Sequence, residues 1–190
     1  MKTLQYPFNE TILKSLQIGE EVVVNGRLYT GRDRVHKYIA QGGLIHVDIK
    51  NSAIFHCGPL VVKNGDKWNV LALGPTTSLR HESYMPIIIE KYKIKLILGK
   101  GGMGEITRNA CRQYGCVYLQ LPGGAAAFLA EKVKKVNGVY FLKEFGTTEA
   151  MWDFMVEDLH AIVAIDYRGR SIFKKVQISS HKKLKQLISE

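Results

Sequence analysis

KLILGKGGMGEITRNACRQYGCVYLQL, residues 95–121, decides the fold class. KLIL is a short apolar run of strand length, and it enters the glycine-rich turn Gly99–Gly104. ITRNACRQYG predicts a helix ending at Gly115, because glycine adopts the left-handed conformation that stops helices. CVYLQL is a second apolar strand. A strand, a crossover helix and a strand in so few residues predict an α/β domain with a largely parallel sheet.

Outward from this unit the pattern continues. PGGAAAFLAEKVKKV (122–136) predicts a turn and a helix. VYFLKEFG, AMWDFMVED and AIVAIDYRG then predict strand, helix and final strand. Upstream, Ser83 to Tyr92 predicts a helix that Pro86 can enter only in its first turn. AIFHCGPLVVK (53–63) predicts a strand broken at Gly58-Pro59. Asn64-Gly65 marks a hairpin that returns as WNVLALG. EVVVNGRLYTG (21–31) has β-branched enrichment, with Asn25-Gly26 as a turn signal. RDRVHKYIAQ (32–41) has helical spacing and stops at Gly42-Gly43. A short helix is expected from Asn9 to Leu16. The fold class is therefore α/β, a layered β/β/α arrangement with a mixed sheet and a hairpin-rich first half. The expected division is an N-terminal arm (1–19), one domain (20–173) and a basic C-terminal tail (174–190).

The chain has 190 residues, 46% hydrophobic and 23% charged, so it can bury a core without disulfide or metal staples. No apolar run is long enough to span a bilayer, and the first residues lack a signal-peptide core. A cytoplasmic location is expected. Cys57, Cys111 and Cys116 are odd in number and form no CxxC pair, so this chain alone predicts neither a disulfide framework nor a metal site. Twenty-seven Lys and Arg face 17 Asp and Glu, a formal charge of +10. Part of that excess is the Lys-rich tail. The rest is scattered, and no RNP, KH or zinc-finger pattern accompanies it. An acidic small molecule is therefore favoured over nucleic acid.

Four motifs could carry chemistry. In Thr30-Gly31-Arg32-Asp33-Arg34-Val35-His36 a turn opens a helix. Arg32 there could grip a carboxylate, and His36 could move a proton near neutral pH; Asp33 could equally be a local cap. Gly74-Pro75-Thr76-Thr77-Ser78-Leu79-Arg80 puts three hydroxyls and a guanidinium in one turn, a small anion pocket or a plain N-cap. Gly99-Lys100-Gly101-Gly102-Met103-Gly104 is not a Walker A loop. It has GxGxxG spacing, but no acidic residue ends a second strand where a dinucleotide fold needs one. It predicts an anion-binding turn with Lys100 at its mouth. Pro122–Ala127 predicts close packing. His46, His56, Cys57, Trp68 and Trp152 are expected in the core or on the surface rather than as ligands. Arg32, Arg80 and Lys100 at three separate turns suit a small dicarboxylate. No carboxylate pair, metal set or nucleophile–base pair completes an active site, so the chain has the character of half of one.

TGRDRVHKYI, AIFHCGPLVVKNGDKW, LGPTTSLRHESY and LGKGGMG, in this order, resemble the β subunit of the class I fumarate hydratase and L(+)-tartrate dehydratase family. The resemblance covers about residues 5–175. It implies a swivelling β/β/α domain that closes over an oxygen-sensitive [4Fe–4S] cluster held by a separate α subunit. A heterotetramer of the two subunits is implied as well. Arg32, Arg80 and Lys100 match substrate-binding cations, and Thr76 and His36 match proposed proton-handling groups, with their division of labour open. Gly99, Gly101, Gly102 and Asp33 would support these loops. The implied reaction is hydration of fumarate to (S)-malate, with dehydration of L(+)-tartrate to oxaloacetate as the alternative. A nucleic-acid-binding protein or an organic-acid-binding module that has lost catalysis are the non-enzymatic alternatives.

Overall fold

The central strand–helix–strand unit forms as its pattern predicts. A computed structural model describes residues 1–188. In chain order the elements are β1 (Lys2–Gln5), α1 (Glu10–Lys14), β2 (Glu21–Gly31), α2 (Asp33–Ala40), β3 (Ala53–His56), β4 (Leu60–Asn64) and β5 (Lys67–Ala72). A 3-10 turn (Ser78–His81) leads to α3 (Met85–Tyr92), β6 (Leu96–Gly99), α4 (Glu105–Tyr114), β7 (Val117–Gln120) and α5 (Ala126–Ala130). The chain continues through β8 (Val133–Tyr140), α6 (Leu142–Phe145), β9 (Met151–Ile165) and α7 (Ile172–Ile188). No helix of the described residues is long and apolar enough to cross a membrane.

The sheet is mixed. β1, β3, β6 and β7 run parallel to their neighbours, whereas β9 pairs antiparallel with β2, β7 and β8. Because β9 reaches both β7 and β2, the strands β2-β3-β6-β7-β9 close into a ring. Closure leaves β1 and β8 as flanking strands. β4 and β5 form a separate hairpin across Asn64-Gly65, the one hairpin of the first half.

Alternation along the strands builds a core on each face. Phe55, Leu96, Leu98 and Leu119 join one cluster with Trp152 and Phe154. Ile54, Ile97 and Tyr118 join the other, against Val35 and Ile39 of α2, Met85 and Ile88 of α3, and Cys111 of α4. Pro86 sits in the first turn of α3, as expected.

Five sequence expectations are corrected. VYFLKEFG is not a strand throughout: β8 ends at Tyr140, and α6 takes up Leu142–Phe145. The first half is not hairpin-rich, because β1, β2 and β3 pair parallel and only β4 and β5 form a hairpin. AMWDFMVED is strand, not helix. Trp152, Phe154 and Val156 alternate into the first core, and partners on both edges satisfy its backbone. PGGAAAFLAEKVKKV gives only the short α5, and from Val133 its lysines lie along β8. Asn25-Gly26 is not a turn, because β2 runs straight through it. Gly26 there has φ +108°, and a Cβ on it would lie 2.5 Å from Tyr6 Cβ. The register against β9 shifts at this point. Asn25 stands opposite two residues of β9, Glu157 and Asp158, and its Oδ1 accepts the Asp158 backbone N–H at 2.8 Å, so the extra residue of this bulge lies on β9. This bulge switches the core parity of β9 from even residues before it to Leu159, Ala161 and Val163 after it.

Candidate active site

Three sequence-separated turns meet at the carboxyl ends of β2, β3 and β6, where ligands of parallel α/β sheets bind. Residues 75–78 are laced between two of these ends like a short extra strand. Thr76 N–H donates to the His56 carbonyl at 2.7 Å, Lys100 N–H to Thr76 at 3.3 Å and Ser78 N–H to Lys100 at 3.0 Å. The lacing fixes Thr76 beside the backbone of Lys100. It also explains Gly99, since a Cβ there would stand 1.9 Å from Ser78 Oγ.

Arg32 precedes α2, and Asp33 lies in its first turn. Arg80 forms an ion pair with Asp33, joining the second motif to the first. Arg32 Nε stands 3.7 Å from Asp33 and 3.3 Å from Glu149. Arg32, Asp33 and Arg80 therefore form one charged cluster. Thr76 is half-buried, and its hydroxyl takes no hydrogen bond among the described residues. The Lys100 side chain, also half-buried, has no carboxylate partner among them. It lies along Gly123, where a Cβ would come within 4.0 Å of its Nζ.

His36 does not reach this surface. Its side chain is fully buried. Nδ1 lies 2.6 Å from the Arg32 carbonyl; a carbonyl only accepts, so Nδ1 carries the proton. The His36 ring stacks on His81 at 4.4 Å, and His56 meets both rings edge-on at 5.0 and 4.6 Å. Burial drives the His36 pKa down to about 3, with the His81 ring adding to the effect. Burial holds His81 down to about 4, against the opposing pull of Asp33. Burial also lowers His56 well below its usual value. At neutral pH all three rings are uncharged. A polar chain runs from the Gly101 carbonyl through Tyr118 and Ser78 to His56 Nδ1, with steps of 2.9, 3.1 and 2.9 Å.

The glycine-rich turn is corrected as an anion site. Glu82 already occupies the N-terminus of α4. Its carboxylate accepts from Gly104 N–H at 2.7 Å, Thr107 N–H at 3.0 Å and the Thr107 hydroxyl at 2.7 Å. A Cβ on Gly104 would stand 2.6 Å from that carboxylate. Gly102 leaves room for the Phe173 ring, and Gly101 has φ +71°. The glycines serve an internal acid and close packing, which leaves Lys100 as the basic side chain of the loop.

Sequence reasoning missed Glu82, His81, Glu149 and Tyr118. Glu82 stands 22 residues before Gly104, the residue that leads into the helix it caps, and Glu149 is 117 residues from Arg32, beyond the reach of any local pattern.

The cysteines do not fit an iron–sulfur cluster. Cys57 lies in the core on one face of the sheet, Cys111 and Cys116 in the core on the other, and all three are buried. Among the described residues no group of three or more His, Cys, Asp or Glu side chains is arranged so that it could hold a metal ion.

The family model described as Fumarase C-terminus matches residues 3–176. The chain is 44% identical over 186 residues to a Geobacillus stearothermophilus protein provisionally named fumarate hydratase class I. That match covers 97% of this chain and 36% of the relative. It is 39% identical to a Methanocaldococcus jannaschii protein provisionally named L(+)-tartrate dehydratase subunit beta, covering 97% of this chain and 99% of the relative. It is 36% identical to the L(+)-tartrate dehydratase subunit beta of Escherichia coli, covering 96% and 89%. The chain thus spans about a third of the first relative and nearly all of the other two.

Proposed function

Because the chain belongs to the fumarase C-terminus family, we propose that it is the β component of a hydro-lyase that hydrates fumarate to (S)-malate. A second component, the α subunit, holds the [4Fe–4S] cluster in this reading. The division into arm, swivelling β/β/α domain (20–173) and basic tail (174–190) belongs to the same reading, as do a heterotetramer and a cytoplasmic location. Residues 189 and 190 of that tail lie outside the described residues. The observation that carries the reading is the convergence of Arg32, Arg80, Thr76 and Lys100 at one end of the parallel strands, secured by the Thr76–Lys100 backbone lacing.

No ligand set for the cluster occurs among the described residues, and no step is routed through it. The chain's own residues do the following. Arg80, Arg32 and Lys100 hold the two substrate carboxylates. They also stabilise the negative charge that develops as the C3 proton leaves malate, because cations aimed at developing charge act most strongly in a water-poor site. Thr76 presents a hydroxyl without an internal partner, free to hydrogen-bond or relay the C3 proton. An alcohol is a weak base, so a carboxylate from the second component is its expected helper. His36 has no exposed surface, and through its bond to the Arg32 carbonyl it positions Arg32.

A second reading, dehydration of L(+)-tartrate to oxaloacetate, is favoured by the near full-length match to two relatives named for it. The deciding experiment is an anaerobic assay of this chain mixed with a cluster-loaded α subunit. Malate and L(+)-tartrate are offered separately. Fumarate from malate supports the first reading, and oxaloacetate from tartrate the second. No product from an intact complex with intact cluster overturns both.

A further inference from the structure

The two arginines assigned to substrate are already engaged. Asp33 pairs with Arg80 and stands 3.7 Å from Arg32, and Glu149 stands 3.3 Å from Arg32. Two carboxylates of the chain therefore sit where two carboxylates of a ligand would. The two acids are held differently. Glu149 accepts the Arg34 backbone N–H at 2.9 Å, which ties it to α2. Asp33 accepts no backbone bond among the described residues, and its side chain is 43% exposed. On its other side, His81 Nδ1 lies 3.7 Å from Asp33 Oδ1, too far for a hydrogen bond. The His81 side chain is fully buried, and neither of its ring nitrogens has a hydrogen-bond partner among the described residues. Buried polar groups without partners are costly and rare in folded proteins. An orphaned, buried ring next to a carboxylate that is free to turn marks a second position for that carboxylate.

We infer that Asp33 is a counter-ion which a bound dicarboxylate displaces from Arg80, and that His81 is the positioning residue that receives it. The inference rests on the substrate-binding role of Arg80 given above. In the unliganded state Asp33 neutralises Arg80 and keeps its guanidinium extended toward α2. When a ligand carboxylate takes Arg80, Asp33 turns through its exposed side and accepts a hydrogen bond from His81 Nδ1. A neutral ring with its proton on Nδ1 suffices, so the exchange needs no proton uptake. His81 then holds the displaced carboxylate away from the ligand and limits repulsion between them.

The test separates the exchange from the ligand. In Arg80→Met the counter-ion is released without any ligand, and ring-nitrogen NMR of the labelled full chain should show a hydrogen-bonded Nδ1–H at His81. Asp33→Asn in the same background should abolish that signal. Identical His81 signals in the single and double variants would overturn the exchange. The unsubstituted chain, assembled with the α subunit, is then titrated with (S)-malate and with L(+)-tartrate. Binding that produces the same His81 signal supports the inference, whereas binding that leaves His81 unchanged overturns it and leaves the substrate reading intact. The exchange signal in Arg80→Met with no binding of either acid supports the exchange and counts against the substrate reading. His81→Leu should weaken acid binding by about tenfold, the scale of one hydrogen bond to a charged group. His81→Gln, which keeps a donor, should recover most of that loss. In Asp33→Asn the His81→Leu penalty should disappear, which a merely structural role for His81 would not produce.

Discussion

At Gly99 a single hydrogen atom in place of a methyl group keeps the site assembled. A Cβ there would collide with Ser78 Oγ and approach His56 Nδ1 to 3.3 Å. Gly99→Ala must push Ser78 off His56, and overpacking of this kind costs about 1–3 kcal/mol. A drop in the denaturation midpoint, together with loss of site activity, is expected; an unchanged midpoint would refute the packing account. Thr76 makes the opposite case. Its backbone carries the lacing, while its hydroxyl makes no internal bond. Thr76→Val should leave the midpoint unchanged and lower kcat of the assembled enzyme by at least about a hundredfold, the usual contribution of a positioned proton-transfer group. Wild-type turnover in that variant would remove Thr76 from the chemistry.

Among the elements, α4 owes its start to an acid from another segment. The helix begins at Glu105 with Gly104 before it, and no side chain of its own first turn caps it. Glu82 supplies three hydrogen bonds and a negative charge at the positive end of the helix dipole. Glu82→Ala leaves two backbone N–H groups and one hydroxyl in want of partners, and a loss of about 1–3 kcal/mol in urea unfolding is expected. Glu82→Gln should retain part of it, since the amide oxygen still accepts. Equal stability of Glu82→Ala and the parent would show that water caps α4 as well. The α4 N-terminus is thereby closed to ligands. This explains how a sequence with the look of a phosphate loop can lie beside the proposed dicarboxylate site with its helix N-terminus already filled.

For the whole molecule, the three buried histidines link the site to the stability of the fold. His36 and His81 have pKa values of about 3 and about 4 in the fold, and burial is the first cause of both. In the unfolded chain each titrates near about 6.5. Their folded values are depressed, so between these limits the unfolded state binds more protons. Their contribution is complete above about pH 6.5 and is lost as pH falls from there toward 4 and then 3. Each such histidine adds a slope of about 1.4 kcal/mol per pH unit in that window. Denaturation at pH 7.5 and pH 5.0 should therefore show markedly lower stability at the acid end, and His36→Leu should flatten the curve. Stability that does not change across this range would contradict burial of the neutral rings.

The sequence by itself determined the α/β class, the β6–α4–β7 unit and the β4–β5 hairpin. Each of these is written in neighbouring residues: an apolar run, a helical period, a glycine stop, an Asn-Gly turn. It also supplied the cationic residues of the candidate site, because Arg and Lys beside turn glycines are visible locally. Only the tertiary structure decided that 151–165 is a strand. Its partners lie 126 residues earlier in the chain on one edge and 16 earlier on the other, as Asp153 with Arg27 and Asn137 shows. Local periodicity is silent on pairing over such distances, and backbone hydrogen bonding on both edges overrode the helical reading. The same holds for the bulge opposite Asn25-Gly26, where the turn residues of β2 face the extra residue by which β9 changes its inward-facing parity. It holds too for the Asp33–Arg80–His81 cluster and for Glu82 on α4. Coulombic and capping interactions act through space, and the parallel pairing of β2, β3 and β6 brings their partners within reach.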